Sequence, residues 1–247
     1  MNRRWLFDLG NTRLKFAPLL DGGVLGDVVA VAHDNGDFAV EVAQALPREG
    51  AVAYLASVAS PAMTAVLRDA LSARFGHIVV ARTASQFAGL RIAYADPDKL
   101  GVDRFLALLA AHARVAGASL VVGVGTALTI DLLDGAGLHH GGRIAPSPAL
   151  MRAALHQRAR QLPESGGAYA EFADDTQSAL ASGCEGAAIA LIERSHAAAA
   201  RQLGAPPGML LHGGGAPALA AHLPRAELAS HLVLRGLAHW AARAEAE

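Results

Sequence analysis

A single cysteine, Cys184, stands among the 247 residues, which excludes an internal disulfide and a multi-cysteine zinc site. Its plain role is that of a small buried apolar side chain. Charge is scarce as well. Charged residues make up 17% of the chain, Lys and Arg (21) balance Asp and Glu (22), and the net charge is −1. Without a basic field, nothing holds nucleic acid or anionic lipid by counterion release, so small molecules are the expected partners. Long apolar runs are missing too. Trp5 to Phe7 is interrupted by Asp8 and forms no signal-peptide core. The most apolar stretch, Ala118 to Leu133, is broken by glycine and threonine and reads as strands rather than as a bilayer span. These absences together lead to a cytoplasmic expectation. The familiar phosphate and metal signatures are absent: no Walker A run, no Gly-x-Gly-x-x-Gly after a first strand, no kinase catalytic loop and no zincin helix. His139-His140 has no acidic or cysteine partner at ligand spacing and is expected in a wet turn. What remains is a chain with 53% hydrophobic residues and only 5% aromatics, able to fill one large domain or two ordinary ones.

Taken in order, Arg4–Leu9, Arg13–Leu19 and Val24–Val31 are β-rich runs separated by turns, which predicts a three-stranded antiparallel meander. Residues 38–46 have helical spacing ended by Pro47, and residues 51–58 form the continuous apolar run of a buried parallel strand. Ser60-Pro61 opens a predicted helix over 62–75 closed by Gly76, and a strand follows over 77–81. Residues 82–100 read as loop. Gly101-Val-Asp-Arg104 introduces a helix over 105–115, with Asp103 and Arg104 at its start, where free amides favour a carboxylate. Asp103 as an N-cap with a solvated Arg104 satisfies the same pattern. A meander followed by alternating helices and parallel strands indicates an α/β layer architecture.

The second half repeats the first. Ala118–Val124 is a strand, Gly125-Thr126-Ala127 a tight turn, 128–133 a strand, Asp134-Gly-Ala-Gly137 a turn, and 138–144 a further strand. Gly125 matches Gly10 and Asp134-Gly135 matches Asp21-Gly22, which suggests a duplicated supersecondary unit. The position matching Asp8 is Gly123. A helix over 149–161, a loop, a long helix from Gln177 to Leu203, a strand entering Gly213-Gly214-Gly215 and a helix over 232–244 complete the chain. The halves are expected to divide near Gly117, as 1–117 and 118–247. The turn Asp8-Leu-Gly-Asn-Thr has a physical use: Gly10 lets backbone approach a ligand, turn amides and the Thr12 hydroxyl donate to phosphate oxygens, and Asp8 suits Mg²⁺. A plain hairpin closed by an Asx-type hydrogen bond fits these residues equally well. Two strand–turn–strand copies facing each other would grip a nucleotide from both sides, the logic of the actin, sugar kinase and Hsp70 ATPase superfamily.

Asp8-Leu-Gly-Asn-Thr-Arg-Leu-Lys15, Asp96-Pro-Asp-Lys-Leu-Gly-Val-Asp-Arg104 and Gly125-Thr-Ala-Leu-Thr-Ile-Asp131 occur in this order. With Gly141-Gly-Arg-Ile144 and Thr176 ahead of a small-residue helix, the chain resembles type III pantothenate kinase from about Phe7 to Gly215. The resemblance implies two ribonuclease H-like halves with a nucleotide cleft, and ATP-dependent phosphorylation of pantothenate, the first committed step towards coenzyme A. It implies an ATP site at Asp8, Leu9, Gly10, Asn11, Thr12, Arg13, Leu14 and Lys15, with Asp8 near Mg²⁺, and Thr126 in a second phosphate loop. Tyr94, Gly101, Val102, Asp103 and Arg104 match the family's pantothenate site, and Asp103 its general base. Thr176 matches a substrate contact delivered by the partner subunit of a homodimer.

Two departures stand out. Many members carry an aspartate two residues before Gly-Thr-Ala, associated with a monovalent cation, K⁺ or NH₄⁺; here the residue is Gly123, so either carbonyls and another subunit supply the ligands or the dependence is altered. The family's usual Pro-Gly after Gly-Gly-x-Ile is Pro146-Ser147, and serine tolerates fewer backbone conformations. Two other functions share these residues: a regulatory relative without turnover, and a kinase of another small alcohol, since fold alone does not fix substrate.

Overall fold

β1 (Arg4–Leu9) and β2 (Arg13–Leu19) pair antiparallel with Asp8 opposite Lys15, and β3 (Val29–Ala32) continues the meander. The computed structural model describes residues 4–33, 38–114 and 116–244, so Val115, the last residue of one predicted helix, lies outside them. β3 is shorter than the run 24–31 predicts. Pro18 accepts from the Gly26 amide at 3.0 Å but has no N–H to return, so the ladder stops at Phe16–Val29.

α1 (Phe38–Ala45) leads to β4 (Gly50–Ser57), which lies parallel beside β1. α2 (Pro61–Ser72) begins as its sequence predicts, with Ser60 accepting from the Met63 amide and proline in the first turn. It ends three residues before the predicted Phe75, because Phe75 belongs to β5 (Phe75–Val80) and pairs with Gly50. The cause is burial. Phe75 meets Phe7 edge-on at 5.5 Å, and Phe7 stacks on Phe16 at 5.6 Å, in a core completed by Leu9, Leu14, Leu55, Leu67 and Leu71. Within the predicted loop 82–100 a two-stranded ribbon forms, β6 (Gln86–Phe87) and β7 (Leu90–Arg91). Its two turn residues, Ala88 and Gly89, both have positive φ, the requirement of a tight hairpin turn that alanine does not advertise. α3 (Val102–Arg114) is buried along most of its length.

The second sheet is built from β8 (Ser119–Val124), β9 (Ala127–Leu133) and β10 (His139–Pro146). Helices α4 (Pro148–Arg158) and α5 (Thr176–Leu203) precede β11 (Gly208–His212), α6 (Ala216–Ala220) and the short β12 (Ala226–Leu228), which the sequence did not reveal. α7 (Leu232–Ala244) ends the described chain. The sheets are ordered β3-β2-β1-β4-β5 and β10-β9-β8-β11-β12, with the same antiparallel and parallel pairings at each step. The duplication read from the turns thus extends to all five strands of each sheet.

Two compact units emerge, Met1–Arg114 with His231–Glu247, and Val115–Ser230. The sequence expectation of halves 1–117 and 118–247 put the last helix with the second half, whereas here it clusters with the first unit. α7 belongs to the first unit, where Gly236 lies against the backbone of Leu106 so closely that no side chain fits between the helices. The second unit has its own core of Leu120, Val122, Leu128, Ile130, Ile192 and Leu211 around α5.

Candidate functional site

In the first unit, β1, buried on both faces from Leu6 onward, carries Asp8 towards its C-terminal end, where it is 9% exposed. The Gly10 amide closes the turn onto the Arg13 carbonyl at 3.0 Å, so Gly10, Asn11 and Thr12 lie at the tip and Arg13, Leu14 and Lys15 lead away along β2. Leu9 and Leu14 are fully buried beneath the turn and hold it to the core. Burial pushes the Asp8 carboxyl up to about 7, the nearby Lys15 ammonium pulls it down, and the negative charge of Asp103 adds to the rise. Asp8 and Asp103 therefore share one electrostatic neighbourhood within a single unit. Sequence spacing gave no sign of His33. Its Nε2 lies 3.0 Å from the Gly10 carbonyl, its amide donates to the Thr12 carbonyl at 3.1 Å, and its ring meets Phe38 edge-on.

The segment 94–104 is organised by short-range bonds. Asp96 caps a single 3-10 turn over Pro97–Lys99, Thr83 donates to the Leu100 carbonyl at 2.8 Å, and Leu100 and Val102 are buried. α3 starts earlier than the predicted 105, so Asp103 and Arg104 lie in its first turn. Asp103 Oδ1 accepts from the Arg104 amide at 2.8 Å and sits over Gly101, where a Cβ would come within 2.6 Å of it. Glycine at 101 thus makes room for the carboxylate. Arg104 is not the solvated cation of the plain alternative: it is 6% exposed, donates Nη1–H to Tyr94 Oη at 3.2 Å and lies 5.8 Å from the Tyr94 ring centre. Tyr94, Gly101, Val102, Asp103 and Arg104 form one local cluster.

In the second unit, the Gly125 amide bonds the Ala127 carbonyl at 2.9 Å, with Thr126 exposed at the tip. Gly123 lies between Thr129 on β9 and His212 on β11. A Cβ on it would approach Thr129 Oγ1 to 2.6 Å and His212 Nε2 to 3.0 Å. Thr176 is the exposed first residue of α5, whose N-cap is Asp175. Ser147, in place of the family's glycine, has ordinary extended backbone and caps α4 by accepting from the Leu150 amide at 3.2 Å. The wet turn expected at His139-His140 is corrected. A bulge in β10 turns His139 inward, fully buried with Nε2 3.0 Å from Asp131 Oδ1, and His140 pairs with Asp134 at 2.8 Å. Among the described residues no group of three or more His, Cys, Asp or Glu side chains is placed to hold a metal ion.

A family model described as type III pantothenate kinase matches residues 5–198. A type III pantothenate kinase of Stenotrophomonas maltophilia (strain K279a) is 60% identical over 237 residues, 96% of each chain. One of Xanthomonas campestris pv. campestris (strain B100) is 58% identical over 242 residues, 98% of each. Among solved structures, a Campylobacter jejuni protein described as a Baf family transcriptional activator superposes with a TM-score of 0.64 at 18% identity, over 98% of this chain and all of that one. A Sinorhizobium meliloti protein described as a 2-dehydro-3-deoxygalactonokinase gives 0.59 at 14% identity, over 98% and 99%. At such identities the likeness shows the fold alone, a mixed α/β architecture with two five-stranded sheets. The family match and the near full-length relatives go further: the chain belongs to the type III pantothenate kinase family.

Proposed function

We propose that this chain is a kinase that transfers the γ-phosphoryl group of ATP to the primary hydroxyl of pantothenate, the opening step towards coenzyme A. The observation that carries this reading is the shared neighbourhood of Asp8, Lys15 and Asp103 in the first unit, beside the Tyr94–Arg104 pair. Phosphoryl transfer asks mainly for positioning and for neutralisation of charge on the equatorial oxygens. The Gly10-Asn11-Thr12 turn offers amides and a hydroxyl to phosphate, Lys15 offers a cation, and Thr126 serves as the corresponding donor of the second turn. Asp103 takes the proton of the attacking hydroxyl, its orientation fixed by the Arg104 amide. Tyr94 and Arg104 present a hydroxyl and a guanidinium to the hydroxyl groups and carboxylate of pantothenate.

Mg²⁺ fits Asp8. Nucleotide-bound Mg²⁺ is held by phosphates and water with only one or two protein carboxylates, and a buried carboxylate is relieved of its desolvation by a divalent cation. Asp8 would hold the metal at the end of β1, and Mg²⁺ bound there would supply charge neutralisation on the phosphates.

The enzyme works in the cytoplasm as a homodimer. Among the described residues no helix is long and apolar enough to cross a membrane. An apolar groove of about 800 Å³ between α4 and α5, lined by Leu150, Met151, Leu155, Leu180 and Cys184, supports a self-association surface on the helix that begins at Thr176. That arrangement suits delivery of Thr176 to the substrate of a second copy. ADP release measured with ATP alone, with pantothenate, and with a panel of other small primary alcohols tests the assignment. Turnover is expected with pantothenate, and preference for another alcohol, or none for any, overturns it.

A further inference from the structure

We infer that the His212 imidazole has taken over the place of a monovalent cation beside the second turn, so that this enzyme turns over without K⁺ or NH₄⁺. The inference rests on the kinase reading above and goes beyond it. The two sheets make the comparison internal to the molecule. In the first copy Asp8 lies between Lys15 and the small Ala56; in the second, Gly123 lies between Thr129 and the large His212. Large and small have changed places across the same strand pair. The volume that a carboxylate at 123 would need is bordered by the Thr129 hydroxyl and by His212 Nε2, 2.6 and 3.0 Å from a Cβ built there.

The ring is not free to withdraw by a backbone shift. β11 is locked in parallel register with β8, the Gly215 amide bonds the Val124 carbonyl at 3.0 Å, and Gly213 adopts φ +97° against that same carbonyl, where no side chain fits. The donor set also argues against an alkali cation. Hard cations take oxygen ligands, preferably carboxylates and carbonyls, whereas imidazole nitrogen suits softer metals. The same ring brings a polar nitrogen to the end of β8, opposite the residue two positions before Gly125. His212 is thus a positioning residue for the nucleotide end of the reaction.

The test is pantothenate-dependent ADP release at constant ionic strength in chloride salts of K⁺, NH₄⁺, Na⁺ and tetramethylammonium. Rates in the four salts are expected to agree within about twofold. Stimulation of more than about tenfold by K⁺ or NH₄⁺ over tetramethylammonium overturns the inference while leaving the kinase reading intact. No pantothenate-dependent ADP in any salt contradicts the kinase reading and takes this inference with it. Two variants separate the ring's role from simple packing. His212→Ala is expected to lower kcat/KM for ATP about tenfold in every salt with KM for pantothenate unchanged, a split that loss of packing would not produce. Gly123→Asp combined with His212→Ala puts a carboxylate in the vacated space and is expected to become responsive to K⁺ or NH₄⁺. A folded double variant no more responsive than the parent overturns the assignment of His212, and if that variant does not fold, the salt series on the parent decides.

Discussion

Asp8 and Asp103 are both carboxylates of the proposed site, and their surroundings suit them to different tasks. Asp103 lies in the first turn of α3, half-buried, with one oxygen held by the Arg104 amide, which suits a base that must meet a hydroxyl in a fixed direction. Replacing it with asparagine keeps the shape and removes the proton acceptor. Asp103→Asn is expected to lower kcat by about 10²- to 10⁴-fold while KM for pantothenate changes less than about threefold. Steady-state ADP assays check this, and near-normal kcat would remove Asp103 from the base role. Asp8 is strained by burial rather than by geometry. Its carboxyl is raised to about 7, above the ordinary 3.8, so between those values the folded chain binds more protons than the unfolded one. The stability it contributes is present below that window and is lost as pH rises through about 7. Asp8→Asn is uncharged throughout. Its melting temperature relative to the parent is therefore expected to climb by a few degrees between pH 4 and pH 8, measured by calorimetry without Mg²⁺ or nucleotide, while turnover is lost. A pH-independent difference would contradict the account of Asp8. The raised carboxyl was hidden in the sequence because it depends on how deeply the end of β1 is buried, whereas the acid itself was plain from its place before Gly10.

At the scale of elements, the first turn and the α3–α7 contact show what sequence patterns capture and what they leave out. The β1 and β2 boundaries and the Gly10 turn follow from β-rich apolar runs and turn residues lying next to each other in the chain. His33 belongs to the same turn but is 23 residues away from Gly10, and only the pairing of β2 with β3 brings it back. His33→Ala is expected to raise KM for ATP about tenfold with little change in KM for pantothenate, and His33→Asn to recover part of the loss by restoring a donor to the Gly10 carbonyl. Equal effects of both variants on both KM values would mean that His33 only fills space. Phe75 tells the same story in secondary structure: helical spacing runs through it, but burial against Phe7 draws it into β5. Gly236 was unremarked because its need arises from another helix. Gly236→Val pushes α7 off the Leu106 backbone and is expected to cost about 1–3 kcal/mol, a drop of several degrees in melting temperature.

For the whole molecule, the duplication was legible because it is written in local signals: two Gly-centred turns, two Asp-Gly turns, and spacings that nearly agree. The equal strand order of the two sheets extends it beyond the meanders. The destination of α7 was not legible, since an amphipathic helix states that it needs a partner and not which one; its partner is α3 in the first unit. Of the proposed site, each motif could be picked out from one local segment, while the His33 contact with Gly10 and the pairing of Gly123 with His212 arise only when strands pair. The proposed homodimer predicts a particle of twice 25.3 kDa in sedimentation, reduced towards one chain by charged substitution at Leu150 and Leu155 in the α4–α5 groove. The central claim, that these residues serve phosphoryl transfer to pantothenate, is tested most directly by ³¹P NMR of the chain incubated with Mg²⁺, ATP and pantothenate. The account predicts a new phosphomonoester resonance that grows in step with ADP. ADP accompanied only by inorganic phosphate, or ATP left intact, would contradict it.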